Sequence, residues 1–145
     1  MDKIKIAKLS ETAIIPNRKH PDDAGLDLYS NEEKEISSFN FGIISTGITI
    51  DLHKKYVGLI LPKSRNDFLL GGGVVDAGYQ GEILVKIINP YKIPLIIHKG
   101  QAIAQILIVP IETPEVMEIN KDYIHLRKSA RGKTGGLVDE NKLQK

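Results

Sequence analysis

The sequence predicts an all-β fold, a sandwich or barrel of short strands. Three observations carry that expectation. Runs rich in β-branched and apolar residues recur along the chain, turn-forming residues punctuate them, and helical periodicity is weak throughout. A length of 145 residues suits one domain.

The runs follow in order. Residues 3–8, KIKIAK, alternate charged or small with apolar, the period of a half-buried strand. Residues 43–50, IISTGITI, and 56–61, YVGLIL, are dense in β formers. Residues 82–88, EILVKII, 93–98, IPLIIH, and 103–111, IAQILIVPI, complete the set. The clusters PDDAG, NPYK and HKGQ supply turns between them. At most a very short helix is expected, a turn or two within residues 63–70. The expected domain covers residues 1–128. From Ser129 to Lys145 the chain becomes polar and glycine-containing, the composition of a flexible tail.

Composition excludes several classes. A formal net charge of +2 without clustered Lys and Arg argues against a nucleic-acid partner. The absence of cysteine excludes disulfides, thiolate zinc sites and a Cys nucleophile. The start, MDKIKIAKLSE, lacks a signal-peptide apolar block, and no apolar run reaches membrane-spanning length. The expectation is a cytoplasmic protein with no membrane partner.

Four segments carry chemistry-bearing residues. In AGLDLY, Gly25 frees the backbone before a strand, and Asp27 stands among apolar neighbours where a carboxylate needs a partner. Alone, such an Asp reads as part of a strand-edge turn. In PKSRN, Lys63, Ser64, Arg65 and Asn66 follow an apolar strand. Two cations, a hydroxyl and an amide suit a polyphosphate, above all if a helix N-terminus begins there. A solvated turn is the plain alternative.

The third segment, residues 71–83 (GGGVVDAGYQGEI), is the most informative. It reads as a hairpin that presents Asp76 and Tyr79 at its tip. An Asp can serve as general base for water, and a Tyr face can pack on a sugar or base. In the fourth, GQAIAQI, Gln105 interrupts an apolar strand, and a buried amide must be satisfied by backbone or ligand. In the tail, Gly132-Lys133-Thr134 is not a P-loop: Arg127 stands where that motif needs its first glycine, and no strand–loop–helix context surrounds it.

In this order and spacing, the segments resemble the five motifs of trimeric dUTPases. AGLDLYS is similar to motif one, and STGITI to the strand before motif two. PKS is similar to motif two, GGVVDAGYQGEI to motif three, GQAIAQ to motif four, and RGKTGG to motif five. The resemblance runs from about residue 10 to about residue 135.

It implies a jelly-roll-like β-clip fold, a homotrimer with shared active sites, and hydrolysis of dUTP to dUMP and pyrophosphate. Mg²⁺ would be held by the triphosphate, with no metal site of the protein's own. Carried over residue by residue, Asp76 would activate the water, and Asp27 would orient the motif-two cation or the water network. Lys63, Ser64 and Gln105 would face the phosphates, and Arg65 would supply the fork that Lys63 lacks. Tyr79 would pack on deoxyribose, and the backbone from Gly73 to Ile83 would read uracil. Arg131 would close over the γ-phosphate from the tail, with Lys133 also counted as substrate-binding.

Three departures stand beside the resemblance. Lys63 replaces the usual Arg and cannot make a bidentate fork, while Arg65 stands where a small residue is usual. The stretch from Ser64 to Asp76 is short, which trims or removes the helix there. The tail has no aromatic residue to cover the base, only Leu137. Two rivals are weighed against hydrolysis. A dCTP deaminase needs a Glu ten residues after the motif-three Asp, where Lys86 stands. The second is a non-catalytic or altered-specificity relative that binds deoxynucleotides or a protein partner; the altered motifs two and five favour it, but a binding-only relative would not need Asp76.

Overall fold

The computed structural model describes residues 3–133 and residue 135. The chain divides into two units, Met1–Glu112 and Thr113–Lys145. Among the described residues the first carries every strand: β1 (Lys5–Lys8), β2 (Leu26–Tyr29), β3 (Lys34–Ile36), β4 (Phe41–Ser45), β5 (Ile48–Asp51), β6 (Tyr56–Leu61), β7 (Leu69–Leu70), β8 (Gly73–Val75), β9 (Leu84–Ile88), β10 (Leu95–Ile97) and β11 (Ala102–Pro110). All their pairings are antiparallel. The largest sheet has the order β2-β11-β6-β8, a second has β4-β9-β7, and two-stranded pairs join β1 to β5 and β3 to β10. Such non-consecutive neighbours make the fold jelly-roll-like, and the all-β expectation holds.

Alternating side chains build the core. Ile44 in β4, Val85 and Ile87 in β9, and Ile103 and Ile106 in β11 are buried, with Leu28, Ile48 and Ile97 from other strands. Truncating one such aliphatic side chain to Ala costs about 2–5 kcal/mol. At the corner after β9, Asn89 is wholly buried. Its Nδ2 lies 3.1 Å from Ile36 O and 2.8 Å from Ile93 O, while its Oδ1 accepts from Tyr91 N at 2.9 Å. A buried amide satisfied in this way fixes the corner rather than weakening it.

Three local expectations change. The run 43–50 is two strands, not one, because the chain turns at Thr46-Gly47 with Gly47 at φ +68°. No helix forms within 63–70; Asn66 N donates to Lys63 O at 3.1 Å, which closes a turn, and β7 follows. The arms of the 71–83 segment do not pair as a hairpin. β8 joins β6, whereas β9 lies between β4 and β7 in the other sheet. Gly72, at φ +70°, turns the chain between β7 and β8 so that consecutive strands enter different sheets.

In the second unit, a 3-10 turn covers Lys121–Tyr123, capped by Asn120, whose Oδ1 accepts from Asp122 N at 2.9 Å. Arg131 N donates to Ser129 Oγ at 3.1 Å. Leu137 and the rest of 136–145 lie outside the described residues, as does Thr134.

Candidate active site

Three of the sequence segments converge on one cleft of about 480 Å³, lined among others by Gly25, Asp27, Lys63, Ser64, Arg65, Asn66 and Gln105. Strand register explains the convergence. In the large sheet Gln105 stands opposite Asp27 on one side and Leu61 on the other, so β2, β11 and the exit of β6 share one row. Asp27 is buried, as its apolar surroundings in sequence suggested, and Lys63 Nζ forms an ion pair and hydrogen bond with its Oδ1. With side chains only 12% and 23% exposed, the two groups are largely shielded from solvent, and each needs the other.

Gln105 holds the neighbouring loop: its Nε2 donates to Pro62 O at 2.9 Å. Asn66 adds a second tie, Nδ2 to Ala102 O at 3.2 Å. The loop that carries Lys63, Ser64 and Arg65 is therefore fastened to β11 at two points. Ser64 and Arg65 are exposed, and among the described residues neither side chain has a recorded hydrogen bond or carboxylate partner. Their free donors line the cleft, which suits an anion without the helix N-terminus that the sequence suggested.

Asp76 and Tyr79 lie elsewhere. Val75 pairs with Gly58, which sets Asp76 level with Val57, whereas Lys63 follows Leu61 at the other end of β6. At strand rise, the two stations are separated by about 20 Å along one chain. Asp76 is exposed, and its carboxylate has no recorded partner among the described residues. The turn behind it closes by Tyr79 N donating to Asp76 O at 3.0 Å.

The Tyr79 ring folds back over Gly81. A Cβ on Gly81 would stand 2.6 Å from the Tyr79 hydroxyl oxygen, and that hydroxyl donates to Glu82 O at 2.6 Å. Tyr79 lines two recesses. One, of about 150 Å³, lies among Gly73, Val74, Val75, Glu82, Ile83 and Leu84. The other, of about 390 Å³, includes Lys5, Thr49, Asp51 and Ala77. At the smaller recess β8 is an edge strand, and Leu84 and Val85 pair only with β4. Backbone edges are thus open toward the recess. Ile83 is an exception: its N–H donates to Ile48 O at 2.9 Å, and its carbonyl accepts from Thr46 Oγ1. It offers the recess side-chain surface and no free backbone group.

Sequence reasoning missed what holds the 76–83 loop. Glu82 Oε1 accepts from Ser45 Oγ and, at 2.8 Å, from Gly47 N. Thr49 Oγ1 donates to Gly81 O at 2.8 Å. The polar residues within STGIT were the signal, since hydroxyls at a strand break seek backbone partners. Lys19 and His20, also unforeseen, line the cleft beside Asp27. Arg131 and Lys133 are exposed in the second unit. Lys86 lies on the exposed face of β9, its Nζ 5.2 Å from the Phe41 ring centroid, and does not line the smaller recess.

The dUTPase family model matches residues 11–135. The chain belongs to the dUTPase family. Among curated dUTPases, the deoxyuridine 5'-triphosphate nucleotidohydrolase of Mycobacterium leprae is 35% identical over 140 residues, covering 91% of each chain. That of Mycolicibacterium vanbaalenii is 36% identical over the same length and coverage. Among solved structures, a mutant dUTPase of Staphylococcus aureus phage phi11, described with a structural Mg(II) ion, superposes with a TM-score of 0.77 at 26% identity, covering 83% of this chain and 98% of that one. A mutant dUTPase of Staphylococcus bacteriophage 80alpha with dUpNHpp has a TM-score of 0.79 at 26% identity, covering 92% and 95%. In dUTPase terms, motifs one, two and four meet in the cleft, and motif three stands apart.

Proposed function

We propose that this dUTPase hydrolyses dUTP to dUMP and pyrophosphate, with Asp76 as the base that activates water against the α-phosphate. One observation carries the role of Asp76. It is an exposed carboxylate with no partner among the described residues, on a loop fastened by Glu82 and Thr49, next in sequence to Val75, which lines the smaller recess. An unpaired, well-positioned carboxylate is what base catalysis on water requires.

The steps follow from placement. Uracil carries one N–H donor between two carbonyl acceptors, and open edges of β8 and β9 can pair with such a group. The exposed Tyr79 ring then offers a face to the deoxyribose. The phosphates take the Arg65 guanidinium and the Ser64 hydroxyl, while Lys63 holds Asp27 at the cleft and Gln105 keeps that loop in register. Asp76 removes a proton from water as its oxygen bonds to the α-phosphorus, and the bond to the bridging oxygen breaks to release pyrophosphate. Catalysis here is mostly positioning and charge neutralisation.

The separation of about 20 Å that strand rise sets between the two stations supports a site completed by a second copy, with the motif-three loop of one protomer beside the cleft of its partner; a homotrimer is the assembly we propose. In that assembly Arg131 and Lys133 of the tail would close over the phosphates. Among the described residues, no three of His, Cys, Asp and Glu gather as metal ligands. Asp27 is engaged by Lys63, so the donor set fits Mg²⁺ carried by the triphosphate. When bound, that ion neutralises phosphate charge. Among the described residues no helix is long and apolar enough to cross a membrane; a cysteine-free chain acting on a nucleotide supports a cytoplasmic setting.

The test is pyrophosphate release from dUTP with Mg²⁺. Binding of dUTP without turnover would favour the non-catalytic reading. Ammonia release from dCTP would favour the deaminase, a reading opposed by the position of Lys86 outside the recess.

A further inference from the structure

The dUTPase motifs leave one wall of the phosphate cleft unassigned, the loop from Asn17 to Asp23. Three hydrogen bonds close it. Arg18 Nε donates to Asp23 O at 3.0 Å, His20 N to Asp23 Oδ2 at 2.9 Å, and Asp23 N to His20 O at 3.1 Å. Its base is tied to β2: Asp27 N donates to Asn17 O at 2.8 Å, and the Tyr29 hydroxyl donates to Asn17 Oδ1 at 3.1 Å. The loop is thus held at both ends, with Lys19 and His20 on the cleft wall together with Lys63, Ser64 and Arg65.

The charges of the cleft give this loop a role. Its cations are Lys19, Lys63 and Arg65, and its carboxylates are Asp23 and Asp27. Lys63 and Asp27 neutralise one another. The Asp23 carboxylate is engaged by the His20 amide. Among the described residues, Lys19 and Arg65 are the cleft cations with no carboxylate within ion-pair distance. A triphosphate carries several negative charges, and a lysine already paired with an aspartate offers little net field to it.

We infer that Lys19 binds the substrate's polyphosphate, supplying with Arg65 the positive charge that Lys63 withholds through its pairing with Asp27. The assignment of the anion to dUTP rests on the function proposed above; the capacity of the cleft for an anion rests on Lys19 and Arg65. Preset by its closed loop, Lys19 meets the anion with little further ordering of backbone.

The experiment is calorimetric titration of the full chain with inorganic tripolyphosphate at low ionic strength. Lys19→Ala is expected to weaken binding about fivefold, Lys19→Arg to retain it, and Lys55→Ala, a cation outside the cleft, to leave it unchanged. In dUTP hydrolysis Lys19→Ala raises KM with kcat nearly constant, the signature of lost uniform binding. Wild-type affinity in Lys19→Ala, an equal loss in Lys55→Ala, or no tripolyphosphate binding by the unaltered chain would overturn the assignment. Tripolyphosphate binding that depends on Lys19 without any pyrophosphate release from dUTP would sustain it while removing the proposed reaction.

Discussion

Gly25 and Gln105 meet so closely that a Cβ on Gly25 would stand 2.3 Å from Gln105 Oε1 and 3.0 Å from its Cβ. Two motifs far apart in sequence are thus interlocked: motif one is kept bare so that the motif-four amide can lie across it and hold Pro62. Gly25→Ala is expected to push Gln105 off the Pro62 carbonyl and release the loop proposed to face the phosphates. Denaturant unfolding should show a loss of about 1–3 kcal/mol, the usual cost of overpacking. Turnover of dUTP should fall further than that loss accounts for, and an unchanged kcat/KM would contradict the coupling.

The Asp27–Lys63 pair calls for a double-mutant cycle. Asp27→Asn leaves a mostly shielded ammonium without its charge partner, at a cost of about 2–4 kcal/mol. Asp27→Asn with Lys63→Met is expected to recover part of the stability but not the activity. Additive losses in chemical denaturation would show that the ion pair contributes nothing.

Asp76→Asn tests the base. The side chain is exposed, so stability should stay within about 0.5 kcal/mol of the parent. Pyrophosphate release should drop by about 100-fold or more, while affinity for a non-hydrolysable dUTP analogue is retained. Near-parental turnover would mean that another group activates the water.

Glu82 is expected to matter without touching phosphate. Its carboxylate accepts from Ser45 and Gly47, and the adjacent carbonyl holds the Tyr79 hydroxyl. Glu82→Ala removes the anchor of the loop that carries Asp76, at about 1–3 kcal/mol for the unsatisfied donors left behind. In the dUTPase assay it should lower kcat, and Glu82→Gln, which keeps an acceptor oxygen, should restore much of it. Equal defects in the two variants would argue that charge rather than loop anchoring is at stake.

Removing residues 130–145 deletes Arg131 and Lys133 yet leaves every strand of the first unit in place. Dichroism and thermal melting should change little, while dUTP turnover falls strongly. A truncated chain that no longer folds or assembles would contradict a role in closing the site.

The sequence by itself determined the all-β class and the order of the motifs, and it named the residues proposed to react. Strand alternation and turn chemistry are local, so KIKIAK and YVGLIL announced their strands, and Asp76 could be read in its turn before any coordinates. Tertiary structure alone decided which groups meet. Register across β2, β11 and β6 placed Asp27, Gln105 and the Lys63 loop in one cleft, and sent β8 and β9 into different sheets where the sequence suggested a hairpin. It also brought Lys19 to the wall of that cleft and Ser45 to Glu82, placements that no periodicity encodes. The physical reason is range: a strand's pattern repeats every two residues, whereas its neighbours are chosen by burial of the whole core, tens of residues away.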